Sequence, residues 1–360
     1  MQNAEHDTDK RVALSQPSLD LSIIVVNWNS AEFVRRCVDS IRAQTTGLTY
    51  EIIVADNASF DGCDRVLQEH APYATYIQCE KNLGFAKANN HAFQRSRGAS
   101  ILFLNPDTEI LGPAICLLYR VLQELPGAGA VGARLLNRDA SLQTSCIQSF
   151  PTILNQALDC EYFRKQWPKS ALWGTRAFLN DHLRPQEVQA ISGACLMLKR
   201  ETFERVGAFN EDYFMYSEDI DLCYKVQRAG YKNYYVPEAE VIHFGGNSSK
   251  QAPSNFSSVM MRESIMRFLR NTRGDLYGMG YRLAMLVSAV CRVGLLSISC
   301  LTRWSHVRRR LARASLRKWL AILRWSVKRA DSLNSYLAVG RAFDAEDGGK
   351  TWNSNCLGEA

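Results

Sequence analysis

A chain of 360 residues can hold one large domain or two smaller ones, and its 46% apolar content is ordinary for a protein that buries a sizeable core. Eleven cysteines, scattered, odd in number and without a C-x-x-C pair, argue against a disulfide framework or a zinc site and for reduced, cytosolic thiols. The net charge of +7 is unevenly spread: Leu276 to Ala330 carries twelve Lys or Arg and no acid, leaving the remainder at −5.

Residues 1–20 are polar and lack an apolar h-region, which predicts a disordered tail and no secretory signal. Leu21–Val26 then reads as a buried strand ending on Asn27-Trp28-Asn29. A helix follows, with Phe33, Val34, Cys37, Val38 and Ile41 at helical spacing and Asn29 and Glu32 in capping-box register. Glu51–Ala55 is a second strand, ending on Asp56-Asn57, and Ser59 can cap the next helix. Tyr76–Cys79 is a short third strand. The loop Asn82-Leu83-Gly84 opens a helix carrying Asn89 and Asn90, and Ile101–Leu104 is the fourth strand. Pro106 cannot donate to a sheet ladder, so this strand stops and presents Asp107 at its carboxyl edge.

Alternating strands and helices predict an α/β fold with a mostly parallel sheet covered on both faces. In such sheets ligands bind outside the carboxyl ends of the strands. Three strands ending in Asn27/Asn29, Asp56/Asn57 and Asn105/Asp107 therefore predict a shared binding crevice. Phe150–Pro185, irregular and rich in aromatics (Tyr162, Phe163, Trp167, Trp173, Phe178), reads as an excursion over the sheet. A second block, Ile191–His243, holds a strand at Ser192–Leu198, a helix at Arg200–Val206, a helix opened by Glu218-Asp219-Ile220-Asp221 and closed at Gly230, and a last strand toward His243.

Each candidate has a plain alternative. Asp107 could cap a turn, or be a metal ligand shared with substrate phosphates. His243 could simply be packed, but it precedes Gly245-Gly246 and could complete that metal site. Glu218, Asp219 and Asp221 could serve only the helix dipole, worth about 0.3–1 kcal/mol each. One of them could instead be a general base, because a carboxylate at a helix start stays ionised at neutral pH. That reading requires the helix start to face Asp107. Asp56 could be a turn residue or could accept a hydrogen bond from a nucleobase. Asn82, Gly84, Asn89 and Asn90 would suit a loop passing close to a phosphorylated ligand.

Together these residues resemble the inverting family 2 glycosyltransferases, specifically their rhamnosyltransferase-like branch. The carriers are Val-Val-Asn-Trp-Asn at 25–29, Ala-Asp-Asn at 55–57, Asn-Leu-Gly-Phe-Ala-Lys-Ala-Asn-Asn at 82–90, Leu-Asn-Pro-Asp-Thr at 104–108, Ser-Gly-Ala-Cys-Leu-Met at 192–197 and Phe-Met-Tyr-Ser-Glu-Asp-Ile-Asp-Leu-Cys at 214–223. The resemblance spans residues 21–250 and implies a GT-A fold, a nucleotide-sugar donor and a divalent cation, Mg2+ or Mn2+. It implies that Asp56 reads the base and that Asp107 is the last acid of a D-x-D metal motif. It makes His243 the second protein ligand, Asp219 the general base, and Glu218 its support or that of the acceptor. Asn27, Asn29, Asn82, Gly84, Asn89 and Asn105 complete the expected donor site. Asn105 stands where the first acid of D-x-D would be, which implies weaker metal affinity and more reliance on the donor diphosphate. The donor implied first is dTDP-rhamnose, with UDP-sugars next. The acceptor is a saccharide, lipid-linked if the enzyme works at a membrane, as in O-antigen or capsule assembly. The rival of a different class is a silent sugar-nucleotide-binding scaffold.

Residues 251–330 are expected to form a helical, basic segment. Leu283–Leu301 is apolar but interrupted by Arg292, which argues against a simple span. From Arg303 to Arg329, Trp304, Val307, Leu311, Trp319, Ile322 and Trp325 fall on one side of a helical wheel, with Arg309, Arg310, Arg313, Arg317 and Arg324 roughly opposite. This predicts an interfacial helix, membrane association through 276–330 and a peripheral place on the inner face of the cell membrane rather than a nucleic-acid partner. The alternative is a helical appendage packed on protein. Residues 331–360 read as a mobile acidic tail.

Overall fold

A computed structural model describes residues 19–159, 166–167, 170, 172, 183–245, 255–302 and 306–327. The expected tails, most of the aromatic excursion (Tyr162, Phe163, Trp173, Phe178), Gly246 and Trp304 lie outside them. The chain divides into two compact units, Met1–Gln251 and Ala252–Ala360.

The first unit opens with β1 (Leu19–Asn27), α1 (Ala31–Gln44), β2 (Tyr50–Asp56), α2 (Cys63–His70), β3 (Thr75–Gln78), α3 (Gly84–Phe93) and β4 (Gly98–Leu104). Leu21, Ile23, Ile24, Val25, Ile52, Ile53, Ile101, Leu102 and Phe103 are all essentially inaccessible. Such continuous apolar runs suit strands covered on both faces. These four strands pair in parallel in the order β3-β2-β1-β4, and their register aligns Asn27 with Asp56 and Asp56 with Gln78, while Val25 lies beside Leu104. The polar strand ends therefore share one edge.

Two helix starts differ from expectation. The N-cap of α1 is Ser30 rather than Asn29, and it makes no side-chain cap; Asp61 reaches across to accept the Ala31 N–H at 2.8 Å. Ser59 does not cap α2, which begins after the left-handed Gly62; its hydroxyl accepts the Asn29 N–H at 2.9 Å. At α1 a contact between the two strand-end loops thus replaces a local cap, whereas at α2 Asp61 Oδ1 accepts the Cys63 N–H at 3.3 Å within its own loop.

The chain continues through β5 (Thr108–Ile110), α4 (Ala114–Glu124), β6 (Ala128–Leu136), a 3-10 turn at Thr144–Cys146, β7 (Ile147–Gln148), α5 (Ile153–Ala157), β8 (Gln186–Val188), β9 (Ala190–Ile191) and β10 (Cys195–Lys199). It then forms α6 (Arg200–Arg205), α7 (Glu218–Arg228) and β11 (Lys232–His243). The sheet is mixed beyond β4: β10 lies antiparallel between β4 and β6, and β11 runs parallel to β6 and antiparallel to β5 and β8. The strand toward His243 is one continuous element with an irregularity between Val236 and Glu240. Its antiparallel pairing with β5 sets His243 opposite Thr108, beside Asp107.

In the second unit α8 (Phe256–Arg273), α9 (Asp275–Thr302) and α10 (His306–Val327) pack together. The C-terminal part of the α10 face expected at a membrane interface is used internally instead, while Leu311 of the same face is exposed. Trp319, Ile322 and Trp325 are buried, Trp325 donates to Glu263 at 2.8 Å, and the Arg282 guanidinium caps α10 through the Trp325 and Ser326 carbonyls at 3.0 Å each. Arg292 lies 4.2 Å over the Trp319 ring, so it does not interrupt the outer face of α9. That face exposes Leu276, Met279, Leu283, Val287, Val290, Leu295 and Ile298, and α9 is long and apolar enough to cross a membrane.

Gly84 has φ +77°, and a Cβ on it would collide with the Phe214 carbonyl, whose oxygen accepts the Phe85 N–H at 2.8 Å. Gly84→Ala is expected to destabilise the protein by at least ~1–2 kcal/mol from backbone strain alone, read as a lowered midpoint of urea unfolding.

Candidate active site

At the sheet edge Asn27 and Asp56, both inaccessible, bind each other: Asn27 Nδ2 donates to Asp56 Oδ1 at 2.9 Å and to Asp61 Oδ1 at 3.1 Å. Asp56 Oδ2 accepts the Gln78 side-chain amide at 2.9 Å and the Ser59 and Phe60 N–H groups at 3.2 and 3.3 Å. Both oxygens of the expected base reader are thus engaged within the protein, because its loop folds back over it. Asn27 is likewise a scaffold residue. Asn29 remains exposed at the mouth of the crevice with φ +52°.

The glycine-asparagine loop is fastened to β2 by Asn57. Its Nδ2 donates to Asn82 Oδ1 at 2.9 Å and its Oδ1 accepts the Leu83 N–H at 2.7 Å. Asn82 Oδ1 also accepts the Gly84 N–H at 2.9 Å. Asn89 is buried and donates to the Phe85 carbonyl one turn back at 2.9 Å. Asn90 ties α3 to Phe209, giving to its carbonyl and accepting from its N–H. Asn29, Ala58, Phe60, Tyr216 and Ser217 all have positive φ, so the loops around this edge concentrate backbone strain.

Asp107, Asn105 and His243 converge at the end of β4. His243 Nε2 lies 3.4 Å from Asp107 Oδ1 and 3.3 Å from Asn105 Nδ2. The imidazole is held from behind by Gln143, whose Oε1 is 2.9 Å from Nδ1 and whose Nε2 donates to the His243 carbonyl. Among the described residues no group of three or more His, Cys, Asp and Glu gathers to hold a metal. One carboxylate oxygen and one imidazole nitrogen facing the same space do fit a divalent cation whose other positions go to water and substrate phosphates.

Glu218 and Asp219 open α7 after two left-handed residues, Tyr216 and Ser217. Asp219 Oδ2 accepts the Gly193 N–H at 2.8 Å and the Gln148 amide at 3.1 Å, and Oδ1 accepts the Ile220 N–H at 2.8 Å. A Cβ on Gly193 would crowd Asp219 Cβ at 3.3 Å. The next residue, Ala194, accepts the Asn105 N–H at 3.0 Å. The helix start therefore does lie beside the Asn105–Asp107 strand end, linked through two adjacent peptide units.

Burial and the neighbouring Asp219 charge push the Glu218 carboxyl well above the usual range, and its buried Oε2 has no hydrogen-bond partner. Burial also raises Asp219, but its three N–H donors oppose the rise. The negative charge therefore settles on Asp219 and a proton is kept longer on Glu218. This corrects the expectation that a carboxylate at this helix start is simply ionised: it holds better for Asp219 than for Glu218.

Sequence reasoning passed over Asp61, Gln78, Gln143 and Gln148, read Ser59 only as a helix cap, and quoted Gly193 without giving it a part in the site. Asp61 and Ser59 lie close to Asp56-Asn57 and could have been suspected; Gln143 and Gln148 carry no local signal, since their partners lie 100 and 71 residues away.

A carboxyl whose pKa is raised by folding contributes stability below its unfolded value that is lost as the pH rises through the folded value. Relative to the native protein, Glu218→Gln should therefore be matched in melting temperature near pH 4 and increasingly more stable toward pH 8. An unchanged difference across that range would place the buried proton elsewhere.

The profile of "Glycosyl transferase family 2" matches residues 22–207, more than half of the chain, and that of "Glycosyl transferase family group 2" matches 163–333. N-acetylglucosaminyl-diphospho-decaprenol L-rhamnosyltransferase of Mycobacterium tuberculosis is 28% identical over 248 residues, covering 65% of this chain and 79% of that one. Rhamnosyltransferase WbbL of Escherichia coli K12 is 25% identical over 263 residues, covering 70% and 93%. The mannosyltransferase PcManGT of Pyrobaculum calidifontis, solved with GDP-Man and Mn2+, superposes with a TM-score of 0.52 at 16% identity, covering 93% of this chain and 90% of that one, which establishes a shared GT-A fold. The chain belongs to glycosyltransferase family 2 and is a glycosyltransferase whose relatives include rhamnosyltransferases.

Proposed function

We propose that this enzyme moves a sugar, rhamnose first among the candidates, from a nucleoside-diphosphate donor to a saccharide acceptor in cell-surface polysaccharide assembly, inverting the anomeric centre. The observation that carries the reading is the alignment of Asp219 by Gly193, Gln148 and Ile220 one peptide link from the strand that bears Asp107. A binding scaffold has no need of an oriented carboxylate base beside a phosphate-binding edge. The first relative's name, an N-acetylglucosaminyl-diphospho-decaprenol L-rhamnosyltransferase, supports rhamnose as the sugar and a lipid-linked acceptor.

In this reading Asn29, Asn82, Asn105 and Asp107 face the donor, and a nucleobase reaches Asp56 only by displacing Gln78. Asp107 and His243 hold Mg2+ or Mn2+, which when bound offsets charge on the leaving diphosphate. Asp219 takes the proton from the acceptor hydroxyl as that oxygen attacks the anomeric carbon and the bond to the diphosphate breaks. Glu218, still protonated, can donate to an acceptor oxygen.

Thermal stability with dTDP, UDP and GDP, each with and without Mn2+, tests the donor class. One nucleotide is expected to raise the melting temperature in a metal-dependent way, and saturation at a hundredfold Kd corresponds to roughly 2.7 kcal/mol. Asp219→Asn should keep that shift and lose about 10²–10⁴ in kcat, whereas Asp107→Ala should lose the shift itself. Full turnover in Asp219→Asn would dismiss the assigned base; no shift with any nucleotide would favour a silent scaffold.

The second unit supports membrane association through 276–330, with the apolar stripe of α9, rather than the face of α10, as the inserting surface. This would keep the enzyme at the cytoplasmic face, where a lipid-linked acceptor is presented. Val287→Glu combined with Leu283→Glu should release the protein from anionic vesicles in flotation assays, and retention of both variants would reject this surface.

A further inference from the structure

We propose that Gln143 is a positioning residue that fixes His243 as its Nδ1–H tautomer and aims the Nε2 lone pair at Asp107. The inference rests on the reading of His243 as a metal ligand and adds the group that prepares it. The argument is one of donors and acceptors. Gln143 Nε2 is committed to the His243 carbonyl, so the amide presents only its oxygen to the ring, and Nδ1 must carry the hydrogen across the 2.9 Å contact. Nε2 is then the acceptor nitrogen, consistent with the Asn105 amide lying 3.3 Å from it, and it faces Asp107 Oδ1 at 3.4 Å. Outer partners of this kind orient ligating histidines and set their tautomer.

Gln143 is itself well held. The Leu136–Leu142 bridge and the turn closed by Asn137 and Ser141 precede it, its N–H donates to the Leu135 carbonyl at 2.9 Å, and its own carbonyl accepts the Cys146 N–H at 3.2 Å. The clamp thus stands just past the end of β6, whose Leu136 pairs with Ile242 of β11, and so is fixed to the same strand that the β5 pairing brings to Asp107.

The test uses the full chain, metal-free and labelled with 15N in its six histidines, at about pH 8.5, well above the ordinary histidine value near 6.5. Long-range 1H–15N spectra, with His243→Gln assigning the signal, should show a protonated Nδ1 and an unprotonated Nε2 in the native protein. Gln143→Leu should shift His243 toward the Nε2–H form and weaken binding of Mn2+ alone, read by water-proton relaxation, by about 10–100-fold. Gln143→Glu, which restores an acceptor for Nδ1–H, should recover the native tautomer. A native Nε2–H signal, or an unchanged tautomer in Gln143→Leu, overturns the proposal even if the leucine variant is unstable, because the first of these needs no variant at Gln143. If the tautomer behaves as stated but Mn2+ binds the native protein, Gln143→Leu and His243→Gln alike, the metal-ligand reading of His243 is what fails.

Discussion

The site depends on one register. Because β1, β2 and β4 pair in parallel with Asn27 beside Asp56 and Val25 beside Leu104, three loops leave the sheet at the same height. Polar side chains at this edge then cross-link one loop to the next: Asp61 to α1, Ser59 to Asn29, Asn57 to the loop at Asn82. A slip of one residue would turn each side chain to the opposite face and dissolve the crevice. The inaccessible aliphatic residues of these strands oppose such a slip, so the apolar core maintains the polar site.

Beyond β4 the direction of pairing does the remaining work. The reversal at Pro106-Asp107 sends β5 antiparallel to β11, which returns His243 to a carboxylate 136 residues earlier in the chain. The antiparallel β10 does the same for Gly193 and Ala194, whose N–H and C=O face two different partners, Asp219 and Asn105. The start of α7 and the end of β4 are thereby joined through the backbone of Gly193 and Ala194.

Energy is held in this arrangement as well as released by it. Two carboxyl groups side by side at the start of α7, one with an unpartnered oxygen, would be ionised and hydrated on a surface; here burial raises the proton affinity of both, and the N–H donors to Asp219 set the two apart. Left-handed residues at Tyr216-Ser217, Ala58 and Phe60 add backbone strain to the same edge. A folded core of this size can sustain such local costs, and they fall where a substrate would gather.

The sequence by itself determined the alternating elements of residues 21–104, the stop at Pro106, the candidate acids and the family resemblance, because strand and helix periodicity and strand-ending residues are local properties. It misjudged what depends on distant neighbours. Asn29 and Ser59 look like caps but meet in a loop contact, Asn89 is buried and donates into its own helix, and Trp319, Ile322 and Trp325 of α10 look like part of a membrane surface but are buried. Arg292 looks like an interruption until Trp319 covers it. Only the tertiary structure decided that His243 meets Asp107, that Gln143 and Gln148 stand behind His243 and Asp219, and that burial raises Glu218 while three N–H donors oppose the rise at Asp219. Each of these rests on hydrogen bonds or burial between residues far apart in sequence, and no local pattern of residue types encodes them.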